Sequence, residues 1–254
     1  MNTKKEEIVI TDEVWSLIPA RGGSKGIPKK NIVDLNGHPL VSYSIIASLN
    51  SKRISRTFVS TDSSEIAEIS RSFGAEVPFL RPSEFATDKS TDIDFVLHFL
   101  NWSLTELGKV PKYLLNLRPT TPLRDPEVID QAIDKMINDD NATSLRSVHE
   151  SVPPQKMMKF EGPYLTGFFP DDKRVEYYNL PRQVFPKAYQ PNGYIDIFKS
   201  AYVLENKVLY GNNILGFVTD YVDDLDTLQD LKMIRDKMKL YNYPLVNYIN
   251  SLKI

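Results

Sequence analysis

The stretch VWSLIPARGGSKGIPKKN, residues 14–31, joins an apolar segment to a loop rich in glycine and basic residues. Residues 14–19 have the apolar character of a buried strand, and three glycines follow within the next seven residues. Glycine lets a backbone approach an anion closely. Four positive charges lie within ten residues of this loop, on Arg21, Lys25, Lys29 and Lys30. The stretch therefore predicts a loop that binds a triphosphate at the end of the first strand.

The loop differs from the two best-known phosphate-binding patterns, the Walker A loop and the dinucleotide fingerprint, so it predicts neither an ATPase nor a dehydrogenase. Residues 22–26 do match the Gly-x-Ser-x-Gly elbow of α/β-hydrolases, with Ser24 as the nucleophile. An elbow leads directly into a helix, whereas Ile27-Pro28 and a lysine-rich segment follow here. A Ser24 hydrolase is thus a remote alternative, and a solvated turn without a ligand is another.

Beyond the loop, short apolar runs alternate with segments of helical spacing. Seven segments are predicted as strands: Val14–Pro19, Arg56–Ser60, Val77–Leu80, Tyr113–Leu117, Thr143–Val148, Tyr194–Phe198 and Leu215–Val222. Four are predicted as helices: Pro39–Asn50, Ser63–Phe73, Thr91–Leu107 and Glu127–Asn138. This alternation indicates an α/β fold with a largely parallel sheet flanked by helices, which binds ligands at the carboxyl ends of its strands.

The alternation breaks between residues 150 and 191, where seven prolines mix with eight phenylalanines or tyrosines. A structureless loop of this length is unusual inside a compact domain. A surface loop is one interpretation. The favoured one is a projecting arm whose aromatic side chains pack against a second copy of the chain.

The composition is that of an ordinary globular protein: 254 residues, 41% hydrophobic, with a net charge of −2. The absence of cysteine excludes disulfides, thiolate metal sites and a cysteine nucleophile, and it fits the cytoplasm. No run approaches the roughly 20 apolar residues of a membrane helix, and the first ten residues do not resemble a signal peptide. Without a long basic block, neither nucleic acid nor a membrane is expected as a partner.

Several motifs occur in an order that resembles the acylneuraminate cytidylyltransferase family, which makes CMP-activated sugar acids from CTP. They are residues 20–31 (ARGGSKGIPKKN), 59–62 (VSTD), 80–82 (LRP), 118–124 (RPTTPLR), 181–183 (PRQ), 191–193 (PNG) and 224–227 (DLDT). The resemblance covers about residues 18 to 238. It implies one Rossmann-like domain of the nucleotide-diphospho-sugar transferase type over residues 1–254, with an inserted dimerisation arm at 150–191, and hence a homodimer.

The resemblance also implies which residues bind the nucleotide: Ala20, Arg21, Gly22, Gly23, Ser24, Lys25, Lys30, Asn31 and Arg81. Among them Arg21, Lys25 and Lys30 would hold the phosphates and act in catalysis together with Asp226. The positive charge of these three side chains agrees with that role. Arg81 has a structural alternative, because it stands beside Pro82.

Asp224 and Asp226 are predicted to hold Mg²⁺. They lie two residues apart after the apolar run 214–222, so an extended backbone would point both carboxylates to one face. Mg²⁺ prefers such oxygen ligands and bridges them to substrate phosphates. The alternative is an acidic helix N-terminus. The resemblance to an Asp-x-Asp-Thr motif favours the metal.

The resemblance implies that the sugar acid binds Arg118, Thr120, Lys156, Arg182 and Asn192. Many family members have glutamine in place of Arg118, and some have arginine in place of Gln190, which leaves the identity of the sugar open. No carboxylate precedes Arg118 closely in sequence, so its guanidinium is expected to pair with the carboxylate or another acidic face of the sugar. For Lys156 and Arg182 the alternative is an exposed surface charge.

The predicted function is transfer of CMP from CTP to the anomeric hydroxyl of a nonulosonic acid, with release of pyrophosphate. Neuraminate, legionaminate, pseudaminate and a shorter ulosonate remain open as the acid. A non-catalytic regulator that binds nucleotide sugars would not need the pair Asp224 and Asp226, and so is disfavoured. The three histidines, His38, His98 and His149, are interpreted as structural or surface residues.

Overall fold

The computed structural model describes residues 8–252. Its strands are β1 (Ile10–Pro19), β2 (Asp34–Leu35), β3 (His38–Pro39), β4 (Arg56–Ser60), β5 (Val110–Asn116), β6 (Ser144–Ser151), β7 (Met158–Glu161), β8 (Tyr164–Gly167), β9 (Ala188–Lys199) and β10 (Ile214–Val218). Its α-helices are α1 (Leu40–Leu49), α2 (Ser64–Ser72), α3 (Asp92–Leu107), α4 (Pro126–Ile137), α5 (Ser200–Asn206), α6 (Leu228–Leu240) and α7 (Pro244–Ser251). The four predicted helices are confirmed, whereas α5, α6 and α7 were not predicted.

The central sheet has six strands in the order β10-β6-β9-β5-β1-β4. Strand β9 is antiparallel to both of its neighbours, and the other three pairings are parallel. Five strands therefore share one direction, which confirms the largely parallel sheet. Because β4 and β5 flank β1 on opposite sides, the chain reverses its course across the sheet beside β1, and ligands of such folds bind at the carboxyl ends of strands beside that point.

Strand β1 shows why the sheet is buried on both faces. Its alternate residues Val14 and Ile18 belong to one hydrophobic cluster, and Trp15 and Leu17 belong to the other. Helices α1, α2, α4, α6 and α7 contribute to the first cluster, and α3 and α5 contribute to the second. The sheet thus lies between two helical layers, which is why β1 has an apolar run rather than an alternating pattern.

The predicted strand Val77–Leu80 is wrong. Glu76 alone forms a bridge to β4, where its backbone N–H donates to Thr57 and its carbonyl accepts from Val59. Pro78 follows and has no N–H to continue the ladder. After Glu76, the segment Val77–Leu80 is therefore irregular and does not continue the sheet beyond β4. The predicted strand Leu215–Val222 is also too long, because β10 ends at Val218.

Residues 152–187 connect two antiparallel strands, since Ser151 at the end of β6 pairs with Ala188 at the start of β9. An antiparallel pair needs no crossover helix, so the connection is free to project from the sheet. It contains the β7–β8 hairpin and short 3-10 turns. Large apolar side chains are exposed along it, among them Phe160, Tyr164 and Val175.

Within residues 8–252, no helix is both long enough and apolar enough to cross a membrane.

Candidate active site

Two adjoining cavities lie at the carboxyl ends of the parallel strands. The larger has a volume of about 520 Å³ and lies beside the loop after β1 and the loop after β5. The smaller has a volume of about 260 Å³ and lies beside the start of β9 and the chain after β10. Arg118 and Thr120 line both, so the two cavities meet at the loop that follows β5.

The loop after β1 is held in shape by contacts from three parts of the chain. The backbone N–H of Gly22 donates to Asp62 Oδ1 at 2.8 Å, and Asn31 Nδ2 donates to the Arg21 carbonyl at 2.9 Å. At Gly26 the loop runs so close to Asp226 that a Cβ would lie 2.5 Å from its carbonyl oxygen. Glycine at this position is therefore required by close backbone approach.

The larger cavity has an excess of positive charge. Five basic side chains (Arg21, Lys25, Lys30, Arg81 and Arg118) and three carboxylates (Asp88, Asp92 and Asp226) line it. Arg21 Nη2 and Lys25 Nζ each lie 2.9 Å from an oxygen of Asp88, and Lys30 Nζ lies 2.8 Å from Asp226 Oδ1. A net positive cavity built on a glycine-rich loop suits a polyphosphate.

Most of the predicted nucleotide-binding residues meet at this cavity. Those that line it are Arg21, Ser24, Lys25, Lys30, Asn31 and Arg81, whereas Ala20, Gly22 and Gly23 are not among the lining residues. Ala20 is buried and its N–H donates to the Ser60 carbonyl, so it joins the loop to β4.

Arg81 has the structural contacts that the sequence left open as its alternative role. Its Nε donates to Ser60 Oγ at 2.9 Å, its Nη2 donates to the Ser60 carbonyl, and its guanidinium lies over the Phe95 ring. Burial lowers the pKa of this guanidinium to about 10. The side chain therefore anchors the end of β4 as well as lining the larger cavity.

The sequence predicted an extended backbone at Asp224 and Asp226, and this prediction is wrong. They lie in an irregular segment between β10 and α6, where the N–H of Leu225 donates to the Thr120 carbonyl at 2.8 Å. Asp226 lines the larger cavity and Asp224 the smaller. Burial raises the pKa of Asp224, and the neighbouring charge of Asp226 acts in the same direction.

The predicted helix N-terminus is also present at this segment. Helix α6 begins at Leu228, and Thr227 and Asp230 form a capping box. The N–H of Asp226 donates to Asp230 Oδ2 at 3.1 Å. The two interpretations of the acidic pair are thus compatible, because Asp230 satisfies the helix end and leaves both other carboxylates at the cavities.

Arg118 is paired with two carboxylates of the protein, so the expectation that only the sugar would supply its partner is wrong. Its Nη1 donates to Asp196 Oδ2 at 2.7 Å and its Nη2 donates to Asp92 Oδ2. Both partners are distant in the sequence, at separations of 78 and 26 residues. Together they raise the pKa of Arg118 against the opposing effect of burial. The sequence offered no local signal for this arrangement.

The remaining predicted sugar-binding residues are divided. Asn192 lines the smaller cavity, but its Nδ2 donates to Thr219 Oγ1 and its Oδ1 accepts from Ser147 Oγ, each at 2.7 Å. Lys156 Nζ donates to the Leu180 carbonyl at 2.6 Å within the arm and lines neither of the first two cavities. Arg182 borders a third cavity of about 580 Å³, which adjoins the smaller one because His149 and Tyr221 line both.

Several lining residues were missed by sequence reasoning. Asp88 comes from the polar segment before α3, and Asp92 is the first residue of α3; the Thr, Asp and Ser residues there indicate a loop but not its position. His149 and Tyr221 line the smaller cavity with their rings edge to face, so His149 is a cavity residue rather than one remote from the site.

Ser24 lacks the surroundings of a hydrolase nucleophile. The chain from residue 20 to residue 29 is loop, and only a short 3-10 turn follows it at Lys30–Ile32. Among the described residues that line the larger cavity there is no histidine to serve as a base. The elbow interpretation of residues 22–26 therefore finds no support in the geometry.

Known proteins are similar to this chain in sequence and in fold. The chain is 32% identical over 214 residues to an N-acylneuraminate cytidylyltransferase of Escherichia coli O18:K1:H7. The aligned region covers 84% of this chain and 49% of that protein. It is 31% identical over 221 residues to a pseudaminic acid cytidylyltransferase of Campylobacter jejuni, covering 86% and 93%. It is 33% identical over 233 residues to a CMP-N,N'-diacetyllegionaminic acid synthase of Campylobacter jejuni, covering 91% and 97%.

The chain spans about half the length of the Escherichia coli relative and nearly all of the two Campylobacter proteins. Among solved structures, a CMP:2-keto-3-deoxy-manno-octonic acid synthetase complexed with CTP has the same fold, with a TM-score of 0.68 at 16% identity, covering 90% of this chain and 99% of that one. The family model described as Cytidylyltransferase matches residues 15–242. Because that match covers most of the chain, the protein belongs to the cytidylyltransferase family of nucleotidyltransferases.

Proposed function

We propose that the protein transfers CMP from CTP to the anomeric hydroxyl of a nonulosonic acid and releases pyrophosphate. One observation carries this proposal: a cationic cavity and a smaller polar cavity meet at Arg118 and Thr120. Asp226 lines the first and Asp224 the second. This arrangement suits a reaction in which a triphosphate and a second substrate come together at one phosphorus atom.

In the proposed reaction the anomeric oxygen attacks the α-phosphorus of CTP, and the proton of its hydroxyl passes to solvent water. The bond from the α-phosphorus to the bridging oxygen breaks, and the electron pair leaves with pyrophosphate. Arg21, Lys25 and Lys30 would offset the negative charge that builds up on this leaving group. Arg21 and Lys25 would exchange the carboxylate of Asp88 for phosphate oxygens.

We propose Mg²⁺ as the cofactor, held by Asp224 and Asp226. The residues fit such an ion, because both carboxylates offer hard oxygen atoms at the junction of the cavities. In the described part of the chain no three His, Cys, Asp or Glu side chains are arranged so that they could hold a metal ion by themselves, so substrate phosphates and water would complete the coordination. When bound, Mg²⁺ would polarise the α-phosphate and orient the substrates.

The acceptor is proposed from the smaller cavity and the relatives together. Gln190, Asn192, His149 and Tyr221 line that cavity with polar and aromatic groups, beside the charged Arg118 and Asp224. Such groups suit the hydroxyl and amide substituents of a nine-carbon acid. The three relatives are named for neuraminic, pseudaminic and legionaminic acids at nearly equal identity, so identity does not choose among them.

We also propose that the chain works as a homodimer in the cytoplasm. The arm of residues 150–191 exposes large apolar side chains, including Phe160, Tyr164 and Val175, which a second copy would cover. Lys156 and Arg182 lie on this arm, and in a homodimer they would lie near the sugar site of the partner.

A coupled assay for released pyrophosphate tests the proposal. CTP would be combined in turn with N-acetylneuraminic, pseudaminic and N,N'-diacetyllegionaminic acids, and CTP alone would give the background rate. We expect one acid to support turnover, and ATP, GTP or UTP to replace CTP poorly. Turnover with no acid of this panel, or equal turnover with every triphosphate, would contradict the proposal.

A further inference from the structure

The wall shared by the two cavities is formed in part by a guanidinium that carboxylates hold on two sides. Arg118 Nη1 donates to Asp196 Oδ2 at 2.7 Å, and Nη2 donates to Asp92 Oδ2. The Arg118 side chain is 26% exposed and that of Asp196 is 1% exposed. A guanidinium presents its N–H groups in one rigid plane, so two fixed acceptors fix the direction of the others.

Both carboxylates lie on regular elements, whereas Arg118 lies in the loop after β5. Asp196 is in the middle of β9, paired in register with Asn116 of β5 and Arg146 of β6, and the Arg146 Nε lies 3.4 Å from its Oδ1. Asp92 is the first residue of α3, where the helix dipole favours a negative charge. The loop side chain is thus held by the rigid framework of the fold.

The charges of this group balance. Arg118 and Arg146 supply two positive charges, and Asp92 and Asp196 supply two negative charges. Arg118 therefore adds little net charge to the cavities, and what it offers a substrate is hydrogen bonds in a set direction.

We propose that Asp92 and Asp196 are positioning residues, which orient the Arg118 guanidinium at the junction where the nucleotide and the sugar acid meet. This inference rests on the proposed function. It differs from a role through charge alone, because replacing either aspartate by asparagine makes the site more positive. Charge alone would then strengthen binding of an anionic sugar acid, whereas loss of orientation weakens the reaction.

The test is a pair of mutant cycles read in kcat/KM for the best sugar acid of the panel. Asp196→Asn, Asp92→Asn and Arg118→Gln would be made singly, and each aspartate change would also be combined with Arg118→Gln. We expect each single change to lower kcat/KM about tenfold or more. In the Arg118→Gln background, adding Asp196→Asn or Asp92→Asn should change it by less than about twofold, because the group being oriented is gone.

Effects that multiply in the double variants, or a rise in kcat/KM for either single aspartate variant, would overturn the proposal. Asp196→Asn should also lower stability, because it removes the buried charge that pairs with Arg118 and Arg146, so thermal unfolding of every variant is measured at the assay pH. Asp92, with a side chain 33% exposed, repeats the cycle with less structural cost.

Asp134→Asn is the matched control, because Asp134 pairs with Arg53 at the surface, outside both cavities, and should leave kcat/KM unchanged. If the wild-type protein turns over no acid, the proposed function fails and this inference fails with it. If it turns over one acid and the cycles show independent effects, the inference alone fails.

Discussion

Gly26→Ala should lower catalysis, because the backbone at Gly26 lies directly against the backbone of Asp226. A Cβ at residue 26 would lie 2.5 Å from the Asp226 carbonyl oxygen, whereas ordinary contacts begin at 3.4 Å, so the two segments must separate by about 0.9 Å. That shift acts on the segment that carries Asp226 and on the loop that carries Lys25 and Lys30. Displacements near 1 Å cost up to about a hundredfold in rate, so we expect kcat/KM for CTP to fall roughly 10- to 100-fold.

Gly216→Ala is the control, because a Cβ there meets no atom within 4 Å and Gly216 lies in β10, outside both cavities. Neither glycine is among the described residues with positive φ, so neither substitution strains the backbone by itself. Both variants would be compared with wild type in the pyrophosphate assay and by thermal unfolding. Equal kcat/KM values for the two variants would refute the argument that the approach of Gly26 to Asp226 builds the site.

Three further predictions follow from the acidic pair and the arm. Asp226→Asn should lower kcat far more than stability, because the ion pair between Asp226 and Lys30 is at the surface. EDTA should stop turnover until Mg²⁺ is restored. Full activity of the variant, or of the wild type in EDTA, would remove the metal from the mechanism. Because burial raises the pKa of Asp224, the folded protein binds that proton more tightly than the unfolded chain, and ionisation costs stability as the pH rises through this pKa. Asp224→Asn should therefore raise Tm near pH 7 but hardly change Tm at about pH 3, and it should remove activity. An equal rise in Tm at both pH values would contradict this argument. Light scattering should give the intact chain a mass near twice 29.1 kDa, and deletion of Glu161–Arg174 should give a less soluble monomer; an intact chain that is monomeric at micromolar concentration would count against the arm as the interface.

The features predicted correctly depend on residues that are close together in the sequence. The glycines and lysines after β1 lie within one loop, so the sequence alone shows that they are neighbours. Apolar runs such as Val14–Pro19 predict buried strands wherever both faces of a sheet are covered. The strand predicted at Val77–Leu80 was wrong because only Val77 is buried, Leu80 is exposed and Pro78 prevents a ladder.

The sequence by itself determined the α/β architecture, the glycine- and lysine-rich loop after β1 and the acidic pair, because each is set by local composition and spacing. Only the tertiary structure decided how these parts meet. The Lys30–Asp226 contact joins residues 196 positions apart, and the contacts of Arg118 with Asp92 and Asp196 join residues 26 and 78 positions apart. The antiparallel course of β9 brings Asp196 to Arg118, and no local pattern encodes that pairing. The direction in which Arg118 presents its N–H groups is therefore a property of the folded sheet rather than of the residue alone.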